Sequence, residues 1–391
     1  MTTLIFQYGD YAEAWTRFRD GGEETYLDQR RSVAFVEAKA MEAPVTLACV
    51  AASRFDVVLR PGLRVIGGTP EDVFGGAGAI LAEVKPERVV VATPHGALLQ
   101  AVAAHGAPAF ACFADIFHRP QAARGLRGAL GAWRRNRRLV ASLRQTAFRV
   151  LGNHSLAASQ SLVTVLGLPA ERVVPWEWTQ LVADPEPKVP GDGPWRLFYA
   201  GMLIGTKGVG DLIAAVARLV AEGRDVTLAI AGEGEGRAGF EQAARTAGIG
   251  ERVTFLGRIA NAEVRRQMRA ADAVVVPSHH AYDEGLPNVI FEGLAARTPL
   301  VVSDHPAFAA RLAASEAVAV FRAGDAGALA AGLAEVLTEP ARRARMSEAA
   351  PATLAGLYVG RSWYDVMDRF IADPEDRTGW VRPWSLAALG R

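Results

Sequence analysis

The chain has little of what would mark it as secreted, membrane-spanning or built for nucleic acid. Its 391 residues include two cysteines, Cys49 and Cys112. Both sit in apolar, strand-like runs, which suits buried thiols in a reducing compartment better than a disulfide. No apolar run approaches the roughly 18 residues that a membrane-spanning helix needs. The opening MTTLIFQYGDYAEAW lacks the basic start and long apolar core of a secretory leader, so the expected location is cytoplasmic. The net charge of +1 argues against a dedicated nucleic-acid binder. Half of the residues are apolar and 22% are charged, the balance of a globular chain with many buried elements. This length exceeds one typical core, so two domains are expected.

What is present is an alternation of apolar strands and helices. Residues 2–8 read as a strand, and a loop holding Gly21 and Gly22 leads to a helix expected over 23–40. Strand-like pieces follow at 45–50, 56–62 and 63–68, then a helix near 70–86, the strand VVVAT, a helix over 97–106 and the strand-like 108–117. The pattern resumes at 146–152, 156–167 and 172–176. Strands apolar on both sides, alternating with helices, indicate parallel sheets. ADPEPKVPGDGP (183–194) reads as a linker, which gives a first domain over 1–188, a second over 189–360 and a tail over 361–391. Two such domains are expected to face each other across a cleft that holds the active site.

The richest stretch is 276–308, a buried strand stopped by Pro277, a polar loop, a helix and a second strand. Glu284 and Glu292 lie eight residues apart. With Pro287 or Asn288 opening the helix, Glu292 falls in its first turn and Glu284 in the loop before it. Open α/β sheets bind ligands at the carboxyl ends of their strands, and a helix N-terminus there offers N–H groups to a phosphate. Carboxylates for hydroxyls beside N–H groups for phosphates make a site of sugar-nucleotide type.

Several ordered motifs carry a family resemblance. They are EGLPNVIFE (284–292) with GLAARTPLVVSD after it, GMLIGTKGVGDLIAA (201–215), AGEGEG (231–236), ERVTFLGRI (251–259) and DAVVVPS (272–278). In the first half, Gly21-Gly22, AAS (157–159) and ERVVPWEW (171–178) fall in comparable places. The chain resembles the retaining glycosyltransferases of the GT-B fold with the Glu-x7-Glu motif, family 4. The resemblance implies an α/β chain of two Rossmann-like βαβ domains facing across a cleft. It implies that Glu284 contacts the donor sugar, that the backbone of Gly285, Leu286, Pro287 and Asn288 lines the phosphates, and that Glu292 bonds the ribose. Lys207 then pairs with the diphosphate, which suits an ammonium on a flexible stem. Where the family often has Gly-Arg, this chain reads Gly201-Met202, and Arg258 is the candidate replacement cation. The family's C-terminal helix, which packs back on the first domain, is matched by RSWYDVMDRF (361–370); the following 374–384 reads as irregular, with Trp380 and Trp384 covering apolar surface or touching membrane.

A family histidine near the reacting sugar has two candidates here, His118 and Asp115, and spacing does not choose between them. His95 is the acceptor-side candidate, and His154 a further one facing the cleft. His105 reads as a helix-cap residue and His305 as structural. His279 and His280 next to Asp283 and Glu284 invite a metal reading, but adjacent loop histidines rarely share one ion and no spaced third ligand is visible. They are read as donor-pocket residues, and no metal or cofactor is expected.

Residues 119–149 hold nine arginines and no acid. Leu126, Leu130, Trp133, Leu139 and Leu143 would form an apolar stripe beside them. Such a surface is either a solvated face or one that meets an anionic membrane or an acidic acceptor; aromatics for stacking bases are not interleaved, so nucleic acid is not expected. The expected function is therefore retaining transfer of a sugar from a nucleoside-diphosphate sugar to a glycan or lipid-linked acceptor, as a hexosyltransferase in cell-surface polysaccharide or glycolipid synthesis, peripheral at the inner membrane face. Alternatives on the same fold are a nucleotide-sugar epimerase, a phosphorolytic enzyme and an inactive scaffold.

Overall fold

The computed structural model describes residues 1–390 apart from 120–124, 190, 192 and 284, without the side chain of Leu126. Its contacts divide the chain into two units, one of residues 1–23, 28–179 and 359–391, the other of 24–27 and 180–358. The chain enters the second unit ahead of the Pro- and Gly-rich stretch. Asp184 N donates to Ala295 O at 2.8 Å, and Lys188 N to Ser347 Oγ at 2.7 Å.

The strands of the first unit are β1 (Thr3–Gln7), β2 (Val45–Val50), β3 (Phe55–Arg60), β4 (Leu63–Gly68), β5 (Arg88–Val91), β6 (Ala109–Phe113), β7 (Phe148–His154) and β8 (Val173–Trp176). They form one sheet in the order β3-β4-β2-β1-β5-β6-β7-β8. All pairs are parallel except β3 with β4, where Pro61-Gly62 turns the chain into an antiparallel edge hairpin. The central strands are buried along their length, as expected of a sheet covered on both faces.

Two local expectations fail in this unit. Residues Tyr11–Arg19 form a helix where a loop was expected. Asp10 caps it by accepting from Glu13 N at 2.9 Å, and Tyr11, Ala14 and Trp15 turn inward at helical spacing. The helix expected over 23–40 runs instead over Gln29–Glu42. Its start is delayed because Asp28 adopts a left-handed conformation (φ 70°) and turns its carboxylate to the N–H and hydroxyl of Thr179, at 2.8 and 2.6 Å. Residues 24–27 pack with the second unit, where Glu24 O accepts from Asn261 N at 2.9 Å.

The C-terminal residues belong to the first unit. Buried Glu177 accepts from the N–H groups of Val359 (2.6 Å) and Gly360 (3.0 Å). A capping box of Ser362 and Asp365 then opens the helix Trp363–Ala372. Trp363 Nε1 donates to Cys112 Sγ at 3.2 Å, and Phe370 lies 5.7 Å from Phe110. The stretch expected to be irregular contains the short helix Val381–Trp384. Trp380 is buried and its indole donates to Asp373 O, so it covers apolar surface. Both cysteines are buried free thiols, and burial pushes Cys49 up to about 11.

The second unit carries β9 (Trp195–Ala200), β10 (Val226–Ala231), β11 (Val253–Gly257), β12 (Ala273–Val276), β13 (Leu300–Ser303) and β14 (Val318–Phe321). Their order is β11-β10-β9-β12-β13-β14, parallel throughout. This is the doubly wound Rossmann order, and the direction of winding reverses between β9 and β12. Ligands bind such sheets at the carboxyl ends beside that reversal.

Candidate active site

The loop leaving β9 carries Lys207, and the loop leaving β12 carries Pro277 to Pro287. Both therefore emerge at the switch point of the second unit. Backbone hydrogen bonds tie the β9 loop both to the loop after β10 and to the β12 loop. Leu203 N donates to Glu233 O (2.9 Å), Gly236 N to Leu203 O (2.8 Å), and His279 N to Thr206 O (2.9 Å). Glycine is required at these approaches. A Cβ on Gly232 would lie 1.9 Å from Gly201 O, and one on Gly208, where φ is +72°, would lie 2.0 Å from Pro277 O. A short 3₁₀ turn, Gly205–Lys207, then places Lys207 just before the helix Val209–Ala221. Its ammonium sits 4.4 Å from the centre of the Tyr282 ring, so the loop from β12 fixes the cation that the loop from β9 supplies.

Around this cation the polar groups are tightly placed. His279 Nε2 is hydrogen-bonded to Asp211 Oδ2 at 2.5 Å, and Asp211 lies in the first turn of the helix that follows Lys207. His280 Nε2 reaches Asp304 Oδ1 at 2.7 Å. The two histidines thus engage separate carboxylates, and the described residues contain no group of three potential ligands able to hold a metal ion. His305 is fully buried, stacked on Phe308, with Nε2 3.0 Å from Tyr282 O, the structural role expected of it.

Glu284 lies outside the described residues. Gly285 and Leu286 are buried, and Pro287 and Asn288 are half-buried. Pro287 takes the N-cap position of the helix Asn288–Ala295 with extended backbone, and its ring makes no cap hydrogen bond to the first-turn N–H groups, the groups that bind an anion at a helix N-terminus. The helix opens where expected, and Glu292 is its fifth residue, at the start of the second turn. It is 4% exposed and accepts from Asn261 Nδ2 at 2.5 Å. Burial pushes its carboxyl up to about 7, with Asn261 and Arg265 acting in the opposite direction and Glu24 adding repulsion. Arg258 is exposed at the exit of β11, the edge strand, two strands from β9. Met202 is exposed too, with its carbonyl held by Tyr199 Oη at 2.9 Å.

In the first unit, Asp115 and His118 lie on the loop after β6, both half-buried. The AAS element secures that loop. Asn153 Nδ2 donates to the carbonyls of Asp115 (2.8 Å) and Ala158 (3.1 Å), and Ser161 Oγ accepts from Phe117 N at 3.0 Å. Asn136 Nδ2 lies 3.3 Å from His118 O. His95 is the N-cap of the helix Gly96–His105, its ring 5.4 Å from Phe74, which also meets Tyr8 at 5.0 Å. His105 ends that helix with Gly106 as its left-handed cap, as expected. His154 is a correction. It is buried against Trp176 and Trp178, at 5.1 and 6.3 Å, and burial pulls it down to about 4, so it is a neutral core ring and not an open site group.

Residues 183–353 match the family model "Glycosyl transferases group 1". Over these residues, somewhat under half of the chain, it is similar to that family. Glycogen synthase of Mycobacterium tuberculosis is 35% identical over 161 residues, which are 41% of this chain and 38% of that protein. A phosphatidyl-myo-inositol mannosyltransferase of Mycolicibacterium smegmatis is 35% identical over 155 residues, 40% of this chain and 39% of that one. The match thus spans about two fifths of these curated relatives. Sucrose-phosphate synthase from Thermosynechococcus elongatus superposes with a TM-score of 0.71 at 16% identity, covering 95% of this chain and 98% of that one. Anabaena HepE, in complex with UDP and glucose, gives 0.66 at 14% identity over the same shares. At such identities the likeness is one of fold, and it puts the chain in the GT-B class of two Rossmann-like domains.

Two polar residues of this site escaped the sequence reading, Asp211 and Asn261. An acid in the first turn after Lys207 was the available signal for Asp211. Nothing local marks Asn261, which reaches Glu292 from another helix.

The raised carboxyl of Glu292 has a measurable consequence. The folded state keeps a proton that the unfolded chain releases between about pH 4.5 and 7, so this group's contribution to stability falls as pH rises through that window. Glu292→Gln keeps the Asn261 contact and removes the charge. It is expected to match the parent near pH 4.5 and to be more stable at pH 8 by an amount on the order of 3 kcal/mol. Urea titrations at the two pH values check this; a variant less stable at pH 8 would contradict it.

Proposed function

We propose that the chain is a retaining glycosyltransferase that moves a hexose from a nucleoside-diphosphate sugar to a hydroxyl of a glycan or lipid-linked acceptor. The observation that carries this is the convergence, at one switch point, of the Lys207 ammonium, an uncapped helix N-terminus at Pro287 and the buried carboxyl of Glu292. A diphosphate needs cationic charge and oriented N–H groups where its own charge grows on departure. Lys207 and the backbone of Gly285 to Asn288 supply these without a metal. A ribose diol needs an acceptor held away from water, which Glu292 is. Glu284 is assigned to the hydroxyls of the donor sugar. In the first unit, His118 and Asp115 are assigned to the reacting centre and His95 to the acceptor. The acceptor oxygen bonds to the anomeric carbon on the face the phosphate leaves, the carbon–phosphate oxygen bond breaks, and the departing phosphate takes the acceptor's proton. The relatives' own names, a glycogen synthase and a phosphatidyl-myo-inositol mannosyltransferase, support glycan or lipid-linked acceptors as a class.

A panel of UDP-, GDP-, ADP- and dTDP-sugars, with and without glycan and glycolipid acceptors, tests the reading. One donor is expected to release nucleoside diphosphate in proportion to acceptor glycosylated. Sugar inversion within the intact donor, without release, would make the chain an epimerase instead.

The basic stretch forms a helix over Gly125–Leu143; its residues 120–124 and the Leu126 side chain lie outside the described set. The expected apolar stripe divides. Leu139 and Leu143 are buried with Ala132, whereas Leu130 and Trp133 are each 47% exposed. Arg127, Arg134, Arg135, Arg137 and Arg138 are exposed around them, with the Arg137 guanidinium 5.3 Å from the Trp133 ring. The outer face is assigned to an anionic membrane surface, the apolar pair entering the headgroup region. The described residues contain no helix long and apolar enough to cross a membrane. Each arginine near such a surface is worth about 1 kcal/mol. Changing Arg134, Arg135, Arg137 and Arg138 together to alanine should lower partition onto vesicles rich in anionic lipid by about 10²–10³-fold. Unchanged cosedimentation would remove the membrane from this account.

A further inference from the structure

At the amino ends of the strands of the second unit, opposite the candidate active site, two cations carry buried nitrogens with no hydrogen-bond partner among the described residues. Arg343 is 5% exposed; its Nη2 donates to Gly191 O at 3.0 Å, while buried Nε and Nη1 meet no acceptor among the described residues. The Lys188 ammonium is buried as well and meets none either. The two are brought together by the backbone. Lys188 N donates to Ser347 Oγ, on the helix Pro340–Leu357, at 2.7 Å, one turn from Arg343. Nearby charges are already committed. Asp272 receives Arg196 through its N–H (2.9 Å) and Nε (3.3 Å), Asp184 meets Arg269 at 3.4 Å, and Arg297 is spent on the carbonyls of Asp184, Pro185 and Ser347.

A buried, uncompensated cation is costly, and two of like sign side by side are more so. Arg343 also occupies the first turn of its helix, where the dipole opposes a cation and favours an anion. We propose that Lys188 and Arg343 form a binding site for a phosphate-type oxyanion, either free phosphate or the phosphoryl group of a small phosphomonoester. Three unpartnered donor nitrogens call for several acceptor oxygens, and two cations favour a dianion over a carboxylate, which supplies one charge. The choice of lysine fits intermittent occupancy. Burial, with Asp272 acting in the opposite direction and Arg196, Arg269 and Arg343 adding repulsion, pulls Lys188 down to about 8, so it can shed its proton when the site is empty, which a guanidinium cannot. The bound anion would fasten the segment that leads into this unit to the helix that leads out of it.

The test is calorimetric titration of the full chain with inorganic phosphate, methyl phosphate and acetate at constant ionic strength. The Lys207→Ala variant is titrated in parallel, to remove the phosphate-binding cation of the candidate active site. One saturable phosphate site is expected to persist in Lys207→Ala, with acetate at least 10-fold weaker. Lys188→Met and Arg343→Met are each expected to weaken it at least 10-fold, and Arg343→Lys to restore part of it. Preference for methyl phosphate over phosphate identifies monoesters as the source, and the reverse identifies the free ion. Should Arg343→Met fail to fold, Lys188→Met decides, since its side chain lies nearer the surface. No saturable site in the parent, equal binding in Lys188→Met, or acetate binding as tightly as phosphate would overturn the proposal.

Discussion

Lys207→Ala should lower sugar transfer by about 10²–10³-fold, the range seen when one preorganised donor to a developing charge is removed. The ammonium is placed by two loops at once, on a 3₁₀ turn from β9 and over the Tyr282 ring from β12. Charge on the leaving diphosphate grows between ground state and transition state, so the loss belongs mainly in kcat and less in KM. Met202 stands where the family often has a second cation, and Arg237, which follows the neighbouring strand β10, is ion-paired with Glu233 and Glu241. That makes the single lysine more important here. Lys207→Arg should recover only part of the rate, because a planar fork does not replace a point charge at the end of a flexible stem. Steady-state rates of nucleoside diphosphate release, with the donor established by the panel, give the comparison. An alanine variant within twofold of the parent would remove Lys207 from the chemistry.

Gly208→Ala should be among the most damaging single methyl additions to the second unit. The residue has φ of +72°, and its Cβ would stand 2.0 Å from Pro277 O. The conformation costs roughly 1–2 kcal/mol for a side-chain-bearing residue, and forcing atoms into packed space costs about 1–3 more. Pro277 begins the loop that bears His279 and Tyr282, so the displacement reaches the active site as well as the core. The expected result is a fall in Tm of about 5–15 °C for a unit of this size, with most of the transfer activity lost. Gly210→Ala, two residues on, is the control. Its Cβ would meet only Phe240, at 3.7 Å, inside a helix, so it should be neutral or stabilising by about 0.5–1 kcal/mol. Thermal unfolding of the pair distinguishes a steric requirement at 208 from a general intolerance of the loop.

The contrast between these two glycines shows which parts of the molecule were legible in the sequence. Fully apolar strands such as VVVAT and DAVVVPS announce buried parallel β-structure, because only strands covered on both faces read that way. The placing of Lys207 and Pro277–Pro287 at carboxyl ends of strands was legible too, since both follow such strands, whereas the strand order that makes it a switch point was not. Local backbone reversals were not. The helix over Tyr11–Arg19 is short, and its cap, Asp10, sits in a Gly-Asp pair that reads equally well as a turn. Asp28 delays the next helix because its partner, Thr179, is remote in sequence. The same limit applies to side chains whose meaning depends on a distant partner. Glu292 reads as a first-turn carboxylate, yet it is a buried acid held by Asn261. His154 reads as a group at a strand exit, yet two tryptophans enclose it. The apolar stripe of the basic helix divides into Leu139 and Leu143 inside and Leu130 and Trp133 outside, because helical periodicity gives spacing and not the position of the neighbouring core.

The most direct measurement of the central claim is the affinity of the chain for nucleoside diphosphates against the matching monophosphates, by calorimetry, in the parent and in Lys207→Ala. One diphosphate should bind at least 10-fold more tightly than its monophosphate, and the alanine variant should lose that advantage while retaining binding of the nucleoside portion. Equal affinity for mono- and diphosphate in the parent, or an advantage that survives in Lys207→Ala, would contradict a nucleotide-sugar site built on Lys207 and the helix at Pro287.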